Sequence, residues 1–361
     1  MNILLLNSVL YTAQDNVIPQ VESIKDCMIY NLALGFKELG HNVTLLAAAD
    51  YRPVKEEEYD IPVLFIESVC KRLFLPSVLP FQPGLWNYLR RERGKYDLVV
   101  SSEVFAFPSL FAAILCPKKT VIWHELAVHT KKMHSIPSYC WYHIVAKLFF
   151  RKTWVIARSE NAKRFISKYV AHVSDRVVEH GINLTKFQFS REKKEQFIVV
   201  SQLIPRKNID SILAKFHCLV AKKEFRHFRL VIAGRGELEN SLKRLTVELG
   251  IDGNVDFAGF KTHHELNRLM AESMAMLIDT KQDNNMVSIP EAVVSGTPVV
   301  TNLVPTNACT IDRHQLGIAL NGWDENTLID IIRNNAFYVD HCIAYREKLS
   351  NTYSAQELIN K

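Results

Sequence analysis

Short apolar runs alternate with amphipathic stretches along the first half of the chain. The runs are NILLLN at 2–7, Val43–Ala47 within LGHNVTLLAA, PVLFI at 62–66, DLVVSS at 97–102, TVIWHE at 120–125 and TWVIARS at 153–159. Runs of four to seven β-branched and aliphatic residues, most of them followed by a helical period, predict parallel strands buried on both faces. A periodic segment near 21–39 predicts the first helix. Gly40, after Leu39, fits its C′ position, because glycine enters the left-handed cap without a steric cost.

The same grammar restarts later. QFIVVSQ at 196–202, FRLVIAGRG at 228–236, NVDFAGF at 254–260, AMLIDT at 275–280 and TPVVTN at 297–302 read as strands. Helical patterns lie between them over 208–223, 237–249, 264–273 and from Pro290. Two alternating series predict two doubly wound, Rossmann-like α/β domains, residues 1–190 and 191–338, with the charged turn SREKKEQ (190–196) as linker. The last stretch, 339–361, is helical in character and is expected to return to the first domain.

Composition agrees with this picture and removes others. The 361 residues are 48% apolar and 23% charged, enough for two domains with sizeable cores, and only 13 Gly and 13 Pro occur. No apolar run approaches the ~18 residues that would suggest a membrane span. The opening MNILLLNSVLY has no basic n-region, so it reads as a buried strand and not as a secretory signal, and a cytoplasmic location is expected. Seven scattered cysteines, never spaced C-x2-C, point to reduced thiols and to neither a disulfide framework nor a zinc site.

Charge is unevenly distributed. Residues 1–190 hold 23 Lys+Arg against 17 Asp+Glu, and 118–176 alone hold 12 against 3. The basic surplus is therefore a block. Within it, SIPSYCWYHIVAKLFFRKTW (135–154) mixes Tyr139, Trp141, Tyr142, Phe149, Phe150 and Trp154 with Lys147, Arg151 and Lys152. A second such segment, 70–95, carries Phe74, Leu75, Leu79, Phe81, Leu85 and Trp86 between cations. Either these segments meet an anionic membrane surface or they pack on the first domain's own sheet. No nucleic-acid recognition motif accompanies them.

Ligands of open α/β sheets bind outside the carboxyl ends of the strands, so candidate chemistry is sought there. Gly234-Arg235-Gly236 follows a strand and opens a helix. It is either an anion-holding turn or a plain tight βα turn. SQLIPRKN (201–208) places Arg206 and Lys207 between a strand and a helix, where two cations suit a diphosphate or form a solvated basic turn. In Asp283-Asn-Asn-Met-Val-Ser-Ile-Pro-Glu291, Pro290 suits a first helical position, and Glu291 falls in the first turn, where the helix dipole favours a carboxylate.

Taken together these segments resemble the retaining glycosyltransferases of the GT-B fold, family 4 type, of bacterial surface polysaccharides. Asp283…Glu291-Ala292…Gly296-Thr297-Pro298-Val299 resembles the family's E-x7-E loop running into E-A-x-x-x-G-x-P-V, with Asp for the first Glu. LGHNVTLL, VIWHE, EHGINLTKF, SQLIPRKN, LVIAGRGEL and NVDFAGF resemble further family segments in order, so the likeness covers nearly all of 1–361. It implies two domains facing across a cleft, a nucleotide-diphosphate sugar as donor substrate, no cofactor, and a glycan or polyprenyl-linked acceptor.

By the same resemblance, Glu291 binds the ribose hydroxyls, and Asp283 with the backbone of Asn285, Met286, Val287 and Ser288 holds the donor sugar. Lys207, helped by Arg206, neutralises the diphosphate. Gln202, where the family carries Arg, borders that site; Gly234, Gly236, Gly259 and Phe260 line the nucleotide pocket. His124 faces the donor sugar, and Glu103 lies on the acceptor side, the alternative being an ordinary loop Glu. The glycine pair usual in the first loop is missing from 12–23. No D-x-D occurs, so no metal is expected and transfer is expected to be metal-independent.

The function expected from the resemblance is thus a retaining transferase on the inner face of the plasma membrane. Two other classes compete with it. A non-catalytic GT-B-like partner or sensor draws only on the Asp283 and Gln202 departures. A dinucleotide-dependent oxidoreductase would need a third glycine after Gly236 and an acidic residue ending the next strand, and has neither.

Overall fold

The computed structural model describes residues 1–11, 18, 21–129, 136–283 and 286–360, and places them in two compact units. The first comprises Met1–Ile182 and Ser350–Lys361, the second Asn183–Leu349.

The first unit is built on a seven-stranded parallel sheet. Its strands are β1 (Asn2–Leu6), β2 (Asn42–Ala48), β3 (Val63–Ile66), β4 (Leu98–Ser102), β5 (Thr120–His124), β6 (Trp154–Ala157) and β7 (Val173–Val177), in the order β3-β2-β1-β4-β5-β6-β7. Order reverses beside β1, the switch point characteristic of doubly wound sheets. Both faces are covered. Ile3, Leu5, Phe36, Leu45 and Trp123 are buried on one side, and Leu4, Leu6, Leu85, Leu89 and Val99 on the other. The helix Met28–Glu38 ends as expected, with Gly40 at φ +80° and its N–H donating to the Lys37 carbonyl.

The second unit carries a six-stranded parallel sheet: β8 (Lys194–Val200), β9 (Arg229–Ala233), β10 (Val255–Gly259), β11 (Ser273–Leu277), β12 (Val299–Thr301) and β13 (Gly317–Ala319), ordered β10-β9-β8-β11-β12-β13. Phe197, Leu213, Phe216, Leu230, Leu277 and Trp323 form its core.

The chain passes between units at 182/183, not at the charged turn 190–196. The backbone around Gln188 belongs to the second unit, where its N–H and carbonyl are held by the Asn267 side chain at 2.9 and 3.0 Å. Part of the expected linker is strand, since β8 starts at Lys194. The return also comes later than 339. The helix Asn335–Tyr345 stays with the second unit, and it is the helix Asn351–Ile359 that packs on Met28–Glu38. That packing is close enough that a Cβ on Gly35 would stand 2.5 Å from the Asn351 carbonyl oxygen.

Candidate active site

At the carboxyl end of β8 the chain turns through Ser201–Asn208 into the helix Ile209–Val220. The turn closes with Asn208 in the left-handed region, φ +53°. Its backbone is fixed from the end of the neighbouring strand β11: the Arg206 carbonyl accepts from Thr280 Oγ1 at 2.9 Å and from the Lys281 N–H at 2.7 Å. This brings both cations of the turn onto one carboxylate. Arg206 Nη1 lies 3.3 Å from Asp283 Oδ2 and 3.1 Å from the Gln282 carbonyl, and Lys207 Nζ donates to the same Oδ2. The Lys207 and Asp283 side chains are nearly buried, whereas Arg206 is 41% exposed. Gln202 is exposed.

Below the turn lies a residue that the sequence reading did not single out. Asp279, buried just after β11, accepts from Ser211 Oγ and Lys215 Nζ, both at 2.7 Å, from Asn208 Nδ2 at 3.3 Å and from Asn302 Nδ2 at 3.2 Å. Lys215 also sits 4.1 Å over the Trp323 ring. Buried charge is tolerated only when so compensated. Its position directly after a strand was the available signal; its surroundings come from three elements distant in sequence.

The segment after Asp283 differs in detail from expectation. Asn285 lies outside the described residues. Met286 is buried, and its N–H donates to Asn307 Oδ1 at 3.2 Å while its carbonyl accepts from Asn307 Nδ2 at 2.9 Å, so its N–H is already engaged. Val287 is exposed and caps the helix Ser288–Val294, of which Ser288 is the first residue. Pro290 is therefore third and not first in the helix, a position still within the turn whose N–H groups lack intrahelical partners. Glu291 is partly buried, and burial pushes its carboxyl up to about 7.

At the glycines one of the two alternatives is met. The Gly234 N–H donates to the Gly259 carbonyl at 2.9 Å, and a Cβ on Gly234, at φ +148°, would stand 1.8 Å from the Ser201 carbonyl oxygen. At Gly236 the clash would be with Leu203, at 2.3 Å. Both residues are required for backbone to pass backbone, the tight-turn alternative, and the Gly234 N–H is not free for an anion. Gly259 (φ +68°) and the 71% exposed Phe260 end β10 beside them.

In the first unit, Glu103, His124 and Arg158 gather where β4, β5 and β6 end. Glu103 sits at φ +66°, uncommon for a non-glycine residue. Its carboxylate receives the N–H groups of Glu125 (2.8 Å) and Leu126 (3.3 Å) and approaches His124 Nδ1 at 2.8 Å. Burial would raise its pKa, but His124 and Arg158 outweigh that and hold it below the usual value. Glu103 is thus no ordinary loop residue. His124 is fully buried, and its Nε2 has no partner among the described residues. Arg158, also missed, stacks 3.9 Å over Trp123 and bonds Glu125 at 2.9 Å and Ser102 at 3.2 Å. Burial raises the Glu125 carboxyl, and His180 and Arg158 more than reverse this, to about 2. A cavity of about 340 Å³ borders the cluster, lined by Asn7, Ser8, Ser77, Glu103, Glu125 and Arg158 among apolar residues.

The two aromatic, basic segments divide between the alternatives. Trp141, Tyr142, Phe150, Leu79 and Leu85 are buried in the first unit, and Phe74 and Phe81 pack on Phe107 at 5.0 and 4.8 Å, so these belong to the core and not to a surface. Ile136, Tyr139, Ile144, Leu148, Phe149 and Trp154 are exposed beside Lys147, Arg151 and Lys152. Ser135 and residues 12–17, 19 and 20 of the first loop lie outside the described residues. Among the described residues no helix is long and apolar enough to cross a membrane.

Residues 183–334 match the family model of glycosyl transferases group 1, and residues 28–186 match that of Glycosyltransferase Family 4. The chain is 27% identical over 164 residues to the alpha-monoglucosyldiacylglycerol synthase of Streptococcus pneumoniae, covering 41% of this chain and 37% of that one. It is 25% identical over 131 residues to the O-antigen chain mannosyltransferase RfbU of Salmonella typhimurium, covering 36% and 35%. The matched stretch thus spans about a third of the length of these curated relatives. Among solved structures, Anabaena HepE in complex with UDP superposes with a TM-score of 0.65 at 14% identity, covering 100% of this chain and 99% of that one. The lipopolysaccharide outer core galactosyltransferase WaaB, in its apo form, gives 0.62 at 14% identity, covering 100% and 98%. At such identity the structural likeness establishes the shared fold.

Proposed function

Since this chain belongs to the family 4 type of glycosyltransferase, its two units matched in turn by the two family models, we propose that it is a retaining, metal-independent transferase. It moves a sugar from a nucleotide-diphosphate donor to a glycan or lipid-linked acceptor in surface-polysaccharide biosynthesis. The observation that carries this reading is the convergence of Lys207 and Arg206 at the carboxyl ends of β8 and β11. Two cations fixed by their backbone can neutralise a departing diphosphate without reorganising as charge develops, the role a divalent ion plays elsewhere. The solved complexes of HepE with UDP and with UDP-glucose support a donor of this class.

On this reading the acceptor hydroxyl oxygen bonds to the anomeric carbon on the face from which the diphosphate leaves. The bond between that carbon and the phosphate oxygen breaks, and the acceptor proton passes to the leaving phosphate. Glu291 grips the ribose diol, for which two acceptor oxygens are suited. Asp283 receives donor sugar hydroxyls. In the first unit, Glu103 fixes the His124 ring, and the adjoining cavity takes the acceptor. The exposed Ile144, Leu148 and Phe149 with Lys147, Arg151 and Lys152 make peripheral contact with anionic lipid, which suits a lipid-carried acceptor.

The test is a thermal-shift screen against UDP-, GDP-, ADP-, TDP- and CMP-sugars with EDTA present. A ligand selective for the folded state raises the midpoint by mass action. A shift with one nucleotide sugar is the expected outcome. No shift with any of them, for folded protein, would overturn the donor assignment in favour of a non-catalytic role.

A further inference from the structure

The helix Ile209–Val220, which the cation turn enters directly, is held to its sheet in two ways. Its apolar face, with Ile209, Ile212, Leu213 and Phe216, packs into the core of the second unit, an attraction without direction. The other hold is directional. Asn208, Ser211 and Lys215 are spaced three and four residues apart, hence on one face, and all three donate to Asp279 Oδ2, at 3.3, 2.7 and 2.7 Å. Asp279 Oδ1 accepts from Asn302 Nδ2 at 3.2 Å, and the same amide nitrogen donates to the Thr280 carbonyl at 2.7 Å. One carboxylate, 8% exposed, thus ties the start of this helix to the chain leaving β11 and β12. A carboxylate has about four acceptor sites, and here it meets four donors. None of these bonds reaches Arg206 or Lys207. Yet Lys207 lies between the two points at which the turn is clamped, the Arg206 carbonyl on Thr280 and Lys281 and the Asn208 side chain on Asp279.

We propose that Asp279 is a positioning residue for transfer: by fixing the helix Ile209–Val220 against the ends of β11 and β12 it sets where Lys207 stands for the diphosphate. The inference rests on the reading of this turn as the diphosphate site. Cations stabilise a departing diphosphate best when they are in place before charge develops, and a displacement of about 1 Å costs on the order of 100-fold in rate. The apolar face supplies adhesion, and the four polar bonds supply register. Because the charge on the leaving group grows towards the transition state, misplacing Lys207 weakens the transition state more than the bound donor. The device needs a carboxylate and not a neutral acceptor, since Lys215, 18% exposed and 4.1 Å over the Trp323 ring, would otherwise keep a charge with no counter-ion.

The experiment measures binding of inorganic pyrophosphate, a probe independent of the nucleotide base, to wild type, Asp279→Glu, Lys207→Ala and the double variant, with EDTA present and folding checked by thermal unfolding. Asp279→Glu keeps the charge and the counter-ion of Lys215, but its extra methylene moves the donors that the carboxylate holds. It should bind pyrophosphate about three- to tenfold more weakly than wild type, and in the Lys207→Ala background the same change should cost less than about twofold. Ser211→Ala removes one donor and leaves every charge in place. It should show the same dependence on Lys207 at smaller size, and it decides the matter if Asp279→Glu does not fold. Losses that are equal in both backgrounds, or a lower Tm with unchanged pyrophosphate affinity, overturn the positioning role and leave the diphosphate site standing. Unchanged binding by Asp279→Glu with tighter binding by Asp279→Asn overturns it as well, because the carboxylate then acts through its field and not through placement. Pyrophosphate binding that is absent, or is unmoved by Lys207→Ala, overturns the diphosphate site and the inference with it. With the donor found by the thermal-shift screen, Asp279→Glu should lower kcat by a larger factor than it raises KM, a split that lost stability alone does not produce.

Discussion

Glu103 holds His124 by a 2.8 Å contact to Nδ1, which leaves the buried Nε2 as the nitrogen without a partner among the described residues. The nitrogen that a carboxylate engages fixes the tautomer and orientation of the ring. His124→Ala is expected to lower kcat by about 100-fold through loss of a preorganised polar group. Glu103→Gln keeps the ring in place with a weaker partner and should lower kcat by about tenfold with little change in donor KM. Steady-state kinetics of both variants checks this; equal loss in KM alone would place the pair in ground-state binding.

Glu291 sets a pH dependence. Its carboxyl titrates near 7 in the folded protein because burial opposes its charge. Diol binding needs the ionised form, so donor affinity should rise with pH through about 7 and flatten above it. The sign for stability is opposite. A carboxyl whose pKa is raised on folding costs nothing below its unfolded pKa, and its full penalty is reached above the folded one. Glu291→Gln should therefore raise Tm at pH 8, with the gain shrinking towards pH 4.5, while donor binding is largely lost and no longer depends on pH in this range. Calorimetric titrations and melts between pH 4.5 and 8 test both parts.

Gly234→Ala probes the backbone crossing at the second unit. With φ at +148° and the Ser201 oxygen 1.8 Å from the new Cβ, the β8 and β9 turns must separate. A loss of about 2–4 kcal/mol is expected, seen as a Tm lower by at least about 4 °C. A Gly40→Ala control has nothing within 4 Å of its Cβ and carries only the left-handed backbone strain, so it should cost about 1 kcal/mol.

Vesicle sedimentation addresses the membrane contact. The protein should co-sediment with phosphatidylglycerol-rich vesicles at low salt and not with pure phosphatidylcholine. Reversing Lys147, Arg151 and Lys152 to Glu should abolish this, since each basic residue near such a surface contributes about 1 kcal/mol. Binding that survives the triple reversal would assign it to another surface.

What the sequence made legible follows from range of interaction. The strands of both sheets except two could be read because parallel strands buried on both faces are continuous apolar runs. β7, VSDRV, escaped because it is a polar edge strand, and β13, GIA, because it carries a single β-branched residue where the equally short β12, VVT, is β-branched throughout. Residue types at strand ends pointed to Lys207, Asp283, Glu103 and His124, yet nothing in their spacing showed that Arg206 and Lys207 share one oxygen of Asp283, or that Glu103 reaches His124. Such pairings are set by sheet order. Asp279 was passed over for the same reason, and the glycine turn stayed open between two readings because the constraint that decides it comes from Ser201 and Leu203, a strand away.

The first unit is discontinuous, and this has a consequence for biosynthesis. The helix Asn351–Ile359, which covers Met28–Glu38, is made only after the whole second unit. At ordinary rates of synthesis the interval is on the order of ten seconds. Throughout it the nascent first unit lacks the helix that carries Ala355 and Leu358, and the surface around Leu32 and Phe36 awaits its last layer. Completion of the first unit's layers is thereby deferred until the second unit has left the ribosome. A chain interrupted before residue 350 has every side chain of the Lys207–Asp283 and Glu103–His124 pairs but not the finished scaffold of the second pair.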